Sequence, residues 1–208
     1  MTYASLGASA KRWVRQELAP TYDTELPALI DATERKVARV LKTLMTTRYV
    51  DSTMQVGLNV YEKPSRWLDN ISFQIRTGTG LNEFVSLEER TYEFCSECYP
   101  DQTATDEPRF YADFEFFQYM VFPTPATAYP YRLGFYERPE PLSDSNQQNL
   151  LTQLAPELML YGLLVESAVF LTNPQRLEEF KAMYSEKLSE FGIEDKKRIT
   201  PRAEKVVK

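Results

Sequence analysis

From Pro156 to Leu171 nearly every position is apolar, whereas from Pro174 to Phe191 the apolar positions fall on one stripe. A helix oily on all sides must be enclosed, by other helices or by neighbouring subunits, while a single stripe marks a helix with one wet face. Pro156 and Pro174 each suit a first helical turn, Asn173 caps the second helix, and Gly192 ends it. At the other end, residues 2–19 read as a short helix burying Leu6, Trp13, Val14 and Leu18. Asp23 or Thr24 then caps a longer helix with Pro27 in its first turn and an apolar stripe of Leu26, Leu29, Ile30, Val37, Val40, Leu41, Leu44 and Met45. Its opposite face, Glu34, Arg35, Lys36, Arg39 and Lys42, reads as solvated.

Near Tyr49 the period shortens from about 3.6 to 2. MQVGLNVY, NISFQIRT, RTYEFC, RFYADFEFF, QYMVF and YPYRLGFY read as strands bounded by Gly, Pro, Asn and Asp. The expected class is α+β: a helical bundle from both chain ends, with an inserted antiparallel β-sandwich or small barrel. The expected boundaries are 1–50 and 146–192 for the two parts of the bundle, 51–145 for the insertion, and 193–208 for a basic tail.

Charge divides the chain further. The net charge is −6, so no overall positive field draws it to nucleic acid. Between Asn82 and Phe116, ten acids face only Arg90 and Arg109, whereas residues 193–208 hold six basic side chains (Lys196, Lys197, Arg198, Arg202, Lys205 and Lys208) against three acidic ones. The tail reads either as a solvated terminus or as a docking segment. The acidic stretch, with Glu88, Glu89, Glu93, Asp113 and Glu115 as its candidates, reads either as a solvated surface or as the wall of a channel along which phosphates slide.

The absence of histidine removes Ser-His-Asp and Cys-His nucleophile systems, His-ligated metals and imidazole bases. Cys95 and Cys98 form a lone C-x-x-C, too few ligands for a structural zinc site, and read as reduced thiols. Asp113 and Glu115, two residues apart on a strand, are the pair a glycosidase would need, but no sign of a carboxyl poised in an apolar pocket accompanies them. Tyr129, Tyr131, Phe135 and Tyr136 read as a sugar-stacking surface or, more simply, as cross-strand packing. No catalytic residue, metal or cofactor is expected. No signal peptide or membrane span is expected, since Lys11, Arg12 and Arg15, and later Glu157 and Glu166, interrupt the apolar runs.

Within the oily helix, Leu158, Tyr161, Gly162, Glu166 and Phe170 are the expected packing positions between helices or subunits. Gly162, Ser167 and Ala168 allow close approach. Glu166, the one deep charge, is expected to pair with a cation or to reach the rim, with Arg35 or Arg39 as its partner or, as the rival, a neighbouring subunit.

The segments TYASLGASAKRWVRQE, ELPALIDATERKVARVL, DEPRFYADF, VFPTPATAYPYRLGFYERPEPLS, NLLTQLAPELMLYGLLVESAVFL and LEEFKAMYSEKLSEF resemble, in order and spacing, the head-to-tail adaptor (connector) proteins of tailed bacteriophages. The likeness covers both helical ends well and the acidic middle poorly, and DEPRFYADF lacks the glycine expected before its proline. The resemblance implies a structural virion protein: a ring, usually of twelve copies, under the portal vertex. The C-terminal tail would enter clefts of the portal protein, a downstream nozzle or stopper protein would bind the far face, and double-stranded DNA would pass through the middle. The rival from the residues alone is a carbohydrate-binding or glycoside-hydrolysing module of a virion.

Overall fold

The computed structural model describes residues 1–14, 20–40, 46–77 and 83–199, with side chains at the C-terminal end as far as Ile193. The chain divides into two compact units, Met1–Thr46 with Arg138–Lys208, and Thr47–Glu137.

The helical unit holds α1 (Tyr3–Val14), α2 (Pro20–Val40), α4 (Leu150–Leu154), α5 (Pro156–Phe170) and α6 (Pro174–Ile199). Pro156 occupies the first turn of α5, and the Asn173 side chain accepts a hydrogen bond from the Arg176 N–H at 3.2 Å, as expected of the α6 cap. A reciprocal Asn149–Thr152 capping box starts α4. Leu158, Met159, Leu163, Leu164, Val165 and Ala168 of α5 are buried with Leu6, Ala10 and Val14 of α1, Ile30 and Val37 of α2, and Phe180 of α6. Of the two enclosures open to the oily helix, other helices or neighbouring subunits, the first applies: it is covered within one chain.

Two boundaries and one buried position differ from expectation. Helix α2 begins at Pro20, so Pro27 lies inside it and neither Asp23 nor Thr24 is its cap. Helix α6 does not stop at Gly192 but continues to Ile199, because glycine lowers helix propensity by only about 1 kcal/mol and nothing there requires a turn. Trp13 is 41% exposed although its ring meets Tyr161 and Phe180 edge-on. Leu18, Leu41, Leu44, Met45 and Lys42 lie outside the described residues.

The β-unit is a face-to-face sandwich rather than a closed barrel. One sheet has the order β1 (Thr47–Thr53), β10 (Pro130–Glu137), β3 (Trp67–Arg76), β4 (Phe84–Ser86). The other runs β2 (Val60–Glu62), β8 (Gln118–Phe122), β7 (Phe110–Glu115), β5 (Glu88–Glu89), and β6 (Thr105–Asp106) pairs separately with β9 (Thr124–Pro125). The first sheet is antiparallel throughout, whereas the second is mixed, since β5 runs parallel to β7, and β6 also runs parallel to β9. Phe73, Ile75, Leu133 and Phe135 from the first sheet meet Tyr111, Tyr119 and Val121 from the second. The alternate residues Ala112, Met120 and Phe122 turn to the other side of the second sheet and pack with Cys95. QYMVF is therefore a strand buried on both faces, which is why it is apolar without alternation.

RTYEFC is not a strand. Residues Tyr92–Cys98 form helix α3, whose Thr91 side chain accepts a bond from the Phe94 N–H at 3.3 Å. Tyr92, Cys95 and Tyr99, spaced by three and four residues, face the apolar cluster, whereas Phe94, which made the two-residue period, is 42% exposed. In MQVGLNVY only the end is strand. Strand β1 was not expected, because six of its seven residues are exposed and leave no apolar alternation.

Candidate functional site

The expected docking residues Lys196, Lys197 and Arg198 lie on the backbone of α6, but their side chains are outside the described set. Arg202 and Lys205 lie outside the described residues altogether. The backbone of residues 193–199 is helix continuous with the bundle, not a terminus separate from it. Among the described side chains Phe191 is the last packed on the helical core, and Ile193 is 53% exposed.

Of the expected packing positions, Leu158 is 2% exposed, in the core. Gly162 is required by close approach: a Cβ there would stand 2.9 Å from Cγ2 of Thr33 and 3.3 Å from the Tyr184 ring. Glu166 is held by Lys36 at 2.9 Å, and not by Arg35, which pairs with Asp31. Ser167 exchanges a 2.8 Å bond with the Tyr22 hydroxyl and donates to the Leu163 carbonyl. Tyr161 packs against Trp13, and Phe170 is 38% exposed against Tyr22.

The face of α2 expected to be solvated contains a buried carboxylate. Glu34 is 4% exposed and accepts hydrogen bonds from the Leu142 N–H, at 3.0 Å, and from the Asn149 side chain. Burial pushes its pKa above the ordinary glutamate value, the two hydrogen bonds oppose that, and Asp31 adds to it. Glu34 thereby ties the segment after Arg138 to α2. Its sequence signature, one acid in a run of charges, is indistinguishable from that of its exposed neighbours.

The acidic candidates Glu88, Glu89, Glu93, Asp113 and Glu115 are all exposed. Glu89, Glu93 and Asp113 share the wall of an open concavity of about 520 Å³ with Arg90, Thr91 and Tyr92. Glu88 pairs with Arg90 at 2.7 Å, and Glu89 accepts a 2.9 Å bond from the Tyr111 hydroxyl. Burial first, and then Glu89, push the Tyr111 hydroxyl well above the ordinary tyrosine pKa, so it is a permanent donor there. The β7–β8 ladder shifts register between Asp113 and Glu115, so the two-residue period that would align those carboxylates on one face is interrupted.

Lys63 was not foreseen. It follows β2, its side chain is only 3% exposed, and its ammonium lies 3.0 Å from Asp113, which is itself 53% exposed. The same ammonium stands 4.1 Å from the Trp67 ring centroid and 4.9 Å from that of Tyr119. Trp67 and Tyr119 in turn both donate to the Asn70 side-chain oxygen. Asp113 is therefore the counter-ion of a caged lysine, a structural task at odds with that of a hydrolytic carboxylate. No spacing rule flags a lysine whose partner lies fifty residues away in sequence.

Tyr129, Tyr131 and Phe135, three of the four aromatics read as a sugar platform, pack into the sandwich core. Among the described residues no group of three or more Cys, Asp or Glu is placed to hold a metal ion, and no helix is long and apolar enough to cross a membrane. Cys95 and Cys98 are free thiols, the first buried, with burial raising its pKa, and the second exposed.

None of the curated proteins compared with the chain matches it. A family model described as SU10 adaptor protein matches residues 1–205. With the match running through the helical unit, the β-unit and nearly all of the basic tail, the chain belongs to the SU10 adaptor protein family, a structural family of phage head–tail adaptors.

Proposed function

We propose that this chain is one subunit of a closed ring, of twelve copies, bound beneath the portal of a tailed-phage head. In this reading the ring links the capsid to a downstream tail protein and extends the channel through which double-stranded DNA leaves. The observation that carries the reading is the family match over residues 1–205. The fold is compatible in two respects. Helix α6 continues beyond Phe191 into the basic segment, giving Lys196, Lys197 and Arg198 a stiff helical mount from which to enter the portal, with Arg202 and Lys205 following. Glu88, Glu89, Glu93, Asp113 and Glu115 give the β-unit an exposed acidic surface, which repels phosphate and would leave DNA free to slide.

Ring closure in this reading does not follow from an unsatisfied α5, because that helix is covered by its own chain. It rests on contacts between subunits that differ from the intramolecular packing. Light scattering on the full chain mixed with portal rings tests the proposal. A complex whose added mass equals twelve subunits is expected, and removal of residues 193–208 abolishes it while the circular dichroism stays helical and sheet-rich. Failure of the full chain to join portal rings would overturn the reading, and unchanged binding by the truncated chain would overturn the tail assignment.

A further inference from the structure

The β7–β8 hairpin turns through two residues, Phe116 and Phe117, because Glu115 pairs with Gln118. Such positions ordinarily hold glycine, asparagine, aspartate or proline. Here they carry the two most exposed large hydrophobic side chains described, 76% and 71% open, with their rings edge to face at 4.8 Å. The turn itself does not call for them: neither residue has a positive φ, and neither ring belongs to an apolar cluster of the unit.

The base of this tip is firm. The Phe117 carbonyl accepts a 2.7 Å bond from the Lys63 N–H, next to the caged lysine. Across the sheet, Gln118 is flanked by Glu62 on β2 and Glu115 on β7, and neither carboxylate has an ion pair among the described residues. The tip is thus an aromatic pair collared by two uncompensated acids.

That combination defines its acceptor. Uncompensated carboxylates beside the rings oppose attachment to an anionic bilayer, which favours basic residues next to aromatic ones. A convex tip requires a concave receptor. Of the concavities formed by described residues, the one of about 520 Å³ is walled by Glu89, Glu93 and Asp113, which would repel the collar, and the one between Val14, Ala168, Phe180 and Arg176 has only about 10 Å³, too little to admit a phenyl ring. A third, at Leu154, Pro156, Leu158 and Phe191, offers Lys187, already held by Glu157 and Glu190.

We propose that Phe116 and Phe117, with Glu62 and Glu115, form a knob that seats in an apolar socket rimmed by Lys or Arg on a virion protein other than this chain. The inference rests on the adaptor reading and assigns the adaptor a second docking surface, distinct from its tail. Exposed aromatic anchors of this kind concentrate binding free energy in few residues.

The test uses heads assembled with the full-length chain. The F116S/F117S and E62K/E115K variants are expected to attach to portal-bearing heads as the wild type does, and to melt at the same temperature. Each is expected to lower the occupancy of one further virion component by about tenfold or more. Photocrosslinking from a benzoylphenylalanine at position 116 is expected to map to an apolar segment of that component next to Lys or Arg. Unchanged occupancy in both variants, or crosslinks confined to copies of this chain or to lipid, would overturn the knob alone. Absence of the wild-type chain from the heads would instead overturn the adaptor reading, and the knob with it.

Discussion

The two units bury a charged side chain in opposite ways. In the helical unit, Glu34 is surrounded by neutral donors, the Leu142 N–H and the Asn149 amide, so its ionised form bears the cost of burial and its pKa rises. In the β-unit, Lys63 keeps a counter-ion at 3.0 Å and two aromatic faces, so its charge is compensated where it sits. A carboxylate held by neutral groups ties chain segments together and is sensitive to pH. A caged ammonium fixes the strands beneath the hairpin tip and depends on one acid. Each unit contains one tryptophan, Trp13 in the helical unit and Trp67 in the β-unit, so W67F and W13F backgrounds allow the two to be followed separately by fluorescence.

Removing the counter-ion has the largest expected effect. Asp113→Ala leaves Lys63 buried without compensation and lowers β-unit stability by about 2 kcal/mol. That is less than the ~3–5 kcal/mol of a fully buried pair, because Asp113 is half exposed. Urea titration followed at Trp67 measures it, and a loss as large in the helical unit would break the contrast.

Glu34→Gln comes next, at about 1 kcal/mol, since an amide cannot accept from both donors. The sign of its pH dependence follows from the raised pKa. Between the unfolded and the folded value the native state binds more protons, so stability is highest at low pH and falls as pH rises through that window. The wild-type helical unit shows this slope just above the ordinary carboxylate range, and the glutamine variant lacks it. Lys36→Ala breaks a partly exposed pair with Glu166 and costs less than about 1 kcal/mol. Smallest of all, Phe116→Ser with Phe117→Ser changes the Trp67 melt by no more than about 0.5 kcal/mol, because nothing in the unit packs on those rings.

The helical ends were the more readable part. Pro156, Pro174 and Asn173 announce helix starts through local chemistry that tertiary structure does not alter, and the all-round apolarity of α5 marked its enclosure. Gly192 misled because a helix-stopping glycine needs a reversing chain as well as a permissive residue. In the acidic middle, Thr91–Cys98 fits both periods: Tyr92 and Phe94 match a strand, while Tyr92, Cys95 and Tyr99 match a helix, and only the apolar cluster beneath α3 decides. Glu34, Lys63 and the Phe116–Phe117 tip escaped for one shared reason. Their roles depend on partners or on exposure set by the fold, while the local sequence places them in an ordinary charged face, loop and strand.

Helix α6 has 26 residues, and at about 1.5 Å per residue it is a rod nearly 40 Å long. A pull applied at Ile199 is delivered along the helix to the bundle as axial load. Gly192 directly follows Phe191, which packs on the helical core, and a methyl group added there would touch nothing within 4 Å. Gly192→Ala would therefore stiffen the rod at that point without a steric cost.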